Sequence, residues 1–241
     1  MASDSVRRAL SYPFEIPSRS YVVAGVRYEE LPDGAPLPDV AGRHPVLALG
    51  SNQSPQQLIR KFKDRGLGPI PVVRGRLHDF DIVYAAHVAA YGSIPATLRH
   101  CPGAAVTLFV NWLDEAQLAR MHETETATGN YHFGRLDVIT LRLEIGGDLT
   151  SAFVYVGRRG ALARNGAPVA LAPVKAENRV WPALDQRQVQ ELVRDRLAPG
   201  QPLNAFIQAA VDDRAVRLAR TEALMADSLA FEHPGFAAEA L

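Results

Sequence analysis

The apolar positions of this chain fall into two kinds of pattern that change along its length. Pro45-Val-Leu-Ala-Leu49 is apolar without interruption and stops at Gly50-Ser-Asn, which predicts a short buried strand ending in a tight turn. A helix is expected at once: Ser54 suits the N-cap, Pro55 the first helical position, and Gln57 completes an S-x-x-Q capping box. Leu58, Ile59 and Phe62 give that helix an apolar stripe, and Gly66 closes it. Segments 71–84, 105–112, 136–144 and 151–156 are rich in β-branched and aromatic residues and predict strands, with one helix over 114–125 between them. In the last quarter, 185–197 and 212–229 carry leucine and valine at helical spacing. Strands first and helices last predict an α+β fold.

Residues 1–44 show neither period. Prolines and glycines punctuate SYPFEIPSRSY and LPDGAPLPDVAGRHP, so an irregular N-terminal arm is expected, with Tyr12, Phe14, Tyr21, Val22 and Val23 packing it along the body. The expected organisation is this arm, a barrel-type domain over 45–180, and a helical extension over 181–241 packed on the same domain.

Composition narrows the function classes. With 241 residues, 47% of them apolar and 22% charged, the chain has the make-up of an ordinary globular protein. Lysine plus arginine and aspartate plus glutamate both number 26, so no global basic field attracts phosphate backbones, and nucleic acid is not an expected partner. A single cysteine, Cys101, makes no intrachain disulfide and no thiolate zinc site, which fits a reducing cytoplasm. No apolar run approaches the roughly 18 residues of a membrane span, and MASDSVRRALSYPF lacks the apolar centre of a signal peptide, so neither membrane insertion nor secretion is expected.

Two constellations are candidates for chemistry. The first is Leu49-Gly50-Ser51-Asn52, a turn of small residues at a helix N-terminus, where free backbone N–H groups can converge on a carboxylate or phosphate. The same residues also serve plain strand-to-helix turns. The second is the helix 114–125, on which Leu118, Met121 and Glu125 lie at i, i+3 and i+7 and share one side, so Glu125 is expected to face inward. Apolar surroundings disfavour the charged form of a carboxylate, which suits it to acid–base work near neutrality.

Other clusters point elsewhere. His122-Glu-Thr-Glu125 begins like the zinc motif HExxH, but Thr126 stands where the second histidine belongs, so no metal site is expected. His78, Asp79 and Asp81 fall in a strand and are expected on solvated faces. His100 and Cys101 diverge in an extended chain, and Gly157-Arg-Arg-Gly160 fits an anion contact or an ordinary basic loop. Motifs of serine hydrolases, P-loops and dinucleotide binders are absent from the sequence.

Taken in order, the strand ending in Gly50-Ser-Asn52, the Ser-Pro helix start, Ser93-Ile-Pro-Ala-Thr-Leu98, the helix Leu118-x-x-Met-His-x-x-Glu125, Tyr131 and Ser151-Ala-Phe-Val-Tyr155-Val resemble the γ-glutamylcyclotransferase-like family over about residues 45–160. Leu49, His122 and Thr126 depart from that family's tyrosine, aspartate and glycine. The resemblance implies a small mixed β-barrel with flanking helices. It also implies a reaction in which the α-amine of a γ-glutamyl amide attacks its own γ-carbonyl, giving 5-oxoproline and a free amine. Such an attack is intramolecular and asks for no metal or cofactor. The family's glutamate corresponds to Glu125 as general acid and base, Gly50, Ser51 and Asn52 cradle the substrate, and Leu49, Tyr131 and Tyr155 line its pocket. The implied partner is a small γ-glutamyl compound, with a homodimer surface left open by the added helices. A non-catalytic binding or scaffold protein on the same fold, and Glu125-dependent acyl transfer on another amide or ester, are the alternatives.

Overall fold

The computed structural model of the chain describes residues 2–126 and 129–240. Its centre is a closed ring of five strands: β3 (His44–Ala48), β4 (Ile70–Tyr84), β5 (Ala96–Leu113), β6 (Tyr131–Leu143) and β7 (Asp148–Gly157). The order β4-β5-β3-β7-β6 returns to β4 through the pairs Gly75–Leu143 and Leu77–Leu141, and β3 runs parallel to β7 while the other neighbours are antiparallel. The fold is therefore α+β with a mixed barrel, as the sequence predicts. Closure leaves these strands no open edge except where other elements cover them.

Alternation decides what each barrel strand faces. On β3, Leu47 packs in the main core while Val46 and Ala48 pack with α2 (Pro55–Phe62) and α3 (Glu115–Glu125). On β5, Val106, Leu108, Val110 and Trp112 take the first environment, and Phe109 and Leu113 the second. Both faces are buried, so the run at 45–49 reads as continuous apolar sequence. Leu58 and Phe62 of α2 and Leu118 and Met121 of α3 cover the barrel's outer face, each contributing about 2 kcal/mol of burial.

The segment before β3 is not irregular throughout. It holds α1 (Asp4–Leu10), capped by the Ser3 hydroxyl on Val6 N–H, and the hairpin of β1 (Tyr21–Ala24) and β2 (Arg27–Glu30). β1 joins the barrel sheet by pairing Tyr21 with Val72 and Val23 with Ile70. The four residues of β2 are all exposed, so no two-residue hydrophobic period betrays the strand. The C-terminal quarter holds three helices, α4 (Gln186–Leu197), α5 (Leu203–Asp212) and α6 (Arg214–Met225), rather than the two expected. The expected helix 212–229 is α6, capped by Asp213 through Ala215 and Val216 N–H, and α5, which ends at Asp212, is the one not expected. Val6 and Ala9 of α1, Val189 and Val193 of α4, Phe206 of α5 and Leu224 of α6 all enter the main core. Among the described residues no helix is long and apolar enough to cross a membrane.

Asp81 also departs from its expected solvated face. Asp79 adopts φ 63° at a bulge in β4, which breaks the alternation and turns Asp81 into the interior, where it is fully buried. Arg179 meets it through Nε–Oδ2 and Nη2–Oδ1 contacts of 2.8 Å each.

Just after β4, His87 is 1% exposed, its ring edge-on to Tyr131 at 5.6 Å, with no hydrogen-bond partner for Nδ1 among the described residues. Burial, reinforced by Arg159, lowers its pKa from 6.5 to about 3. The unfolded chain thus takes up a proton that the folded protein refuses, so stability is full above the unfolded value and is lost as pH falls from 6.5 towards 3. Between pH 6.5 and about 4 this amounts to about 3 kcal/mol. Urea unfolding at both pH values is expected to show that loss in the native protein and a much smaller one in His87→Leu.

Candidate functional site

The turn after β3 is built from Gly50 into a short 3₁₀ helix, Ser51–Gln53, with Gln53 N–H donating to Gly50 C=O and Ser54 N–H to Ser51 C=O, both at 3.0 Å. Two side chains from other strands hold it: Tyr21 donates to Gln53 C=O at 2.7 Å, and Asn111 Nδ2 to Asn52 C=O at 3.2 Å. Ser54 is the N-cap of α2, but the expected capping box does not form. Gln57 N–H is taken by the Ser54 carbonyl at 3.1 Å, the Gln57 side chain accepts from Arg60 Nε, and the buried Ser54 hydroxyl has no partner among the described residues.

α3 is set by a capping box of its own, Asp114 with Gln117. Gln117 also donates to Gly68 C=O and accepts from Arg43, so the helix start is fixed to two loops. Arg120 Nε donates to Lys61 C=O at 3.0 Å and ties α3 to the end of α2. With both helices held, the last turn of α3 brings Glu125 over the 3₁₀ turn. Asn52 Nδ2 donates to Glu125 Oε1 at 3.2 Å across 73 positions of sequence.

A third group completes the cluster. Lys61 Nζ forms an ion pair with Glu125 Oε1 and donates to Asn52 Oδ1 at 2.6 Å, with Met121 Sδ at 3.6 Å. The side chains of Lys61 and Glu125 are 8% and 14% exposed. Glu125 thus faces inward as its spacing predicts, but its surroundings are not simply apolar: an ammonium and a carboxamide meet the carboxylate. Sequence reasoning missed Lys61, whose one signal is its place three residues after Leu58 and next to Phe62 on the buried face of α2.

Tyrosines surround this cluster. Tyr131 opens β6 and points its hydroxyl at Ala96 C=O, 3.4 Å away. Burial first, then the Glu125 charge, pushes its pKa well up. Tyr155 on β7 pairs its hydroxyl with His122 Nδ1 at 2.8 Å, and its pKa is raised by the same two causes in the same order. Tyr91, which follows no helix pattern in the sequence, also feels Glu125, chiefly under burial, and carries the Arg8 guanidinium 5.3 Å above its ring. Each phenol keeps its proton and remains a donor. Tyr12 from the arm accepts Ala96 N–H at 2.7 Å and packs so tightly on Gly50 that a Cβ there would lie 1.9 Å from its hydroxyl. Leu49 is a core residue of the barrel, 6% exposed. Of the residues singled out in the sequence, Asn52 and Glu125 touch, and Tyr131 and Tyr155 lie within their electrostatic reach.

The sequence matches no known protein family and none of the curated proteins. Among solved structures it is similar to a γ-glutamyl cyclotransferase at 12% identity, covering 69% of this chain and 87% of that one with a TM-score of 0.39. It is also similar to a protein from Arabidopsis thaliana at 13% identity over 66% and 87% of the two chains, and to an uncharacterised protein from Homo sapiens at 15% over 70% and 88%, both with TM-scores of 0.39. Among the described residues no group of three or more histidine, cysteine, aspartate or glutamate side chains is arranged to hold a metal ion.

Proposed function

We propose that the chain is a γ-glutamyl cyclotransferase-type lyase acting on a small γ-glutamyl amide. The observation that carries this reading is the Asn52–Glu125 hydrogen bond, which joins the turn expected to cradle substrate to the carboxylate expected to move protons. In the proposed reaction Glu125 takes a proton from the α-ammonium, the freed amine forms a bond to the γ-carbonyl carbon, the ring nitrogen gives up its second proton as the amide C–N bond breaks, and the two protons leave with the departing amine as an ammonium. The amides of Gly50, Ser51 and Asn52 are the donors proposed for the α-carboxylate or the developing oxyanion. The neutral phenols of Tyr131 and Tyr155 serve as walls that keep water out and leave the carboxylate as the local base.

Lys61 has a positioning role in this reading. Its ammonium bridges Glu125 and Asn52, so it sets the distance between base and cradle. Intramolecular attack depends on orientation, and a displacement of about 1 Å costs about 10²-fold in rate. Incubation of the purified protein with γ-glutamyl amino acids, γ-glutamylamines and glutathione, followed by mass spectrometry, is expected to yield 5-oxoproline from at least one class. Lys61→Met is expected to lower that rate about 10²-fold while circular dichroism stays native, with Lys61→Arg recovering part of it.

One observation favours a binding protein without turnover: Lys61 closes on the carboxylate that the reaction needs. The same assay separates the two, since a binding protein shifts its melting temperature with a γ-glutamyl compound and releases no 5-oxoproline.

A further inference from the structure

A crevice of about 320 Å³ opens between the end of the β6–β7 pair and the C-terminal tail, and its described lining includes neither Lys61, Asn52 nor Glu125. One side carries His132, Arg158 and Arg159, and the other Met225, Phe231 and Phe236. Both walls are fixed by backbone. The turn at 157–160 is closed by Gly160 N–H to Gly157 C=O, and Ala161 and Leu229 exchange two hydrogen bonds of 2.8 and 3.0 Å. Gly160 has φ 73°, and a Cβ there would lie 2.6 Å from Leu229 C=O, so the tail is seated directly on the turn. Phe236 is held by the pairing of Phe236–Ala238 with β6, and Phe231 meets it edge-on at 5.4 Å.

The charge of this crevice is one-sided. Its described lining holds two arginines and a histidine and no carboxylate. Arg159 is anchored to the Asn130 side-chain carbonyl, and Arg158 uses only its backbone N–H there, leaving its guanidinium for a ligand. Among the described residues neither arginine forms an ion pair. In a protein with equal numbers of acidic and basic residues, one anchored and one exposed guanidinium group sharing a crevice with an edge-on aromatic pair form a recognition surface for charge at one end and apolar bulk at the other.

We propose that this crevice binds a small organic anion, a carboxylate or phosphate carried on an aromatic or aliphatic body, with Arg158 and Arg159 on the anionic group and Phe231, Phe236 and Met225 on the apolar part. The assignment needs nothing of the cyclotransferase reading. The sequence contains three methionines, Met1, Met121 and Met225, which makes the location readable. Met225 lines this crevice, whereas Met121 touches Lys61.

The test is titration of ¹³C-methyl-methionine-labelled protein with phenyl phosphate, benzoate, inorganic phosphate and benzyl alcohol. Saturable shifts of the Met225 methyl, with Met121 unmoved, are expected from phenyl phosphate or benzoate, and whichever binds more tightly names the anionic group. Arg158→Gln, a change at an exposed side chain, is expected to weaken that binding at least about tenfold, one charge-assisted contact's worth. The proposal is overturned by no saturable shift of Met225, by equal affinity in Arg158→Gln, by benzyl alcohol binding as tightly as the anions, or by inorganic phosphate binding as tightly as phenyl phosphate.

Discussion

Glu125→Gln is expected to lower kcat for 5-oxoproline release by about 10²- to 10⁴-fold, the range for losing a positioned proton-transfer group. The substitution keeps the shape of the side chain, and an amide oxygen can still accept from Asn52 Nδ2, so the cradle stays in place and KM is expected to change little. The basicity disappears, along with the ion pair to Lys61. Because Glu125 sits on the last turn of α3, downstream of the Asp114–Gln117 cap and of the Leu118 and Met121 contacts that hold the helix, the native circular dichroism spectrum is expected to persist. Stopped-time assays with the substrate class identified for the native protein measure the change. A rate within threefold of native would remove Glu125 from the reaction and leave the Lys61–Glu125 pair as a structural contact.

The inward placement of Glu125 was legible in part, because spacing of i, i+3 and i+7 puts it on the side of Leu118 and Met121, while a fraying last turn was an equally local reading that would have left it solvated. The turn at Gly50–Asn52 was legible for a similar reason: a continuous apolar run stopped by small residues. Lys61 was not, since a lysine on an amphipathic helix reads as solvated. Only the approach of α3, fixed by Arg120 on the Lys61 carbonyl, puts a carboxylate where the ammonium can be buried. Tyr12 packs on the body as expected, but its hydrogen bond to Ala96, 84 positions away, was hidden for the same tertiary reason.

The fold divides in the same way. The expected strand 71–84 lies within β4, and the helix over 114–125 is α3 with its N-cap, because burial imposes a period there. The first half of β5 escaped notice: Arg99, His100, Pro102 and Gly103 interrupt its apolar pattern, yet it pairs with β4 across the bulge between His78 and Phe80. The β1–β2 ribbon hides because its edge strand is wholly exposed, and α5 because its start, after Pro202, has no side-chain cap. Elements held by long-range pairing leave weak local signals.

Asp81 shows how a local break in pattern sets up the largest stability effect expected here. Removing either member of the Asp81–Arg179 pair is expected to cost 3–5 kcal/mol, the order found when a buried charge loses its partner. The side chains are 0% and 14% exposed, so Arg179→Met, which strands a fully buried carboxylate, is expected to cost more than Asp81→Leu, which leaves a guanidinium that can still reach solvent. Arg179 Nη2 also donates to Val174 C=O, and Asp81 Oδ1 accepts Ile82 N–H, so the pair fastens the segment carrying Ala176–Glu177 to β4 as well as to its strand partner β5. The double variant Asp81→Leu/Arg179→Met is expected to regain most of the loss, because two apolar side chains of similar volume remove both desolvation costs at once. Urea unfolding of the two singles and the double closes the cycle and isolates the coupling. A loss below about 1 kcal/mol in both singles would place this bridge with surface pairs and contradict its burial.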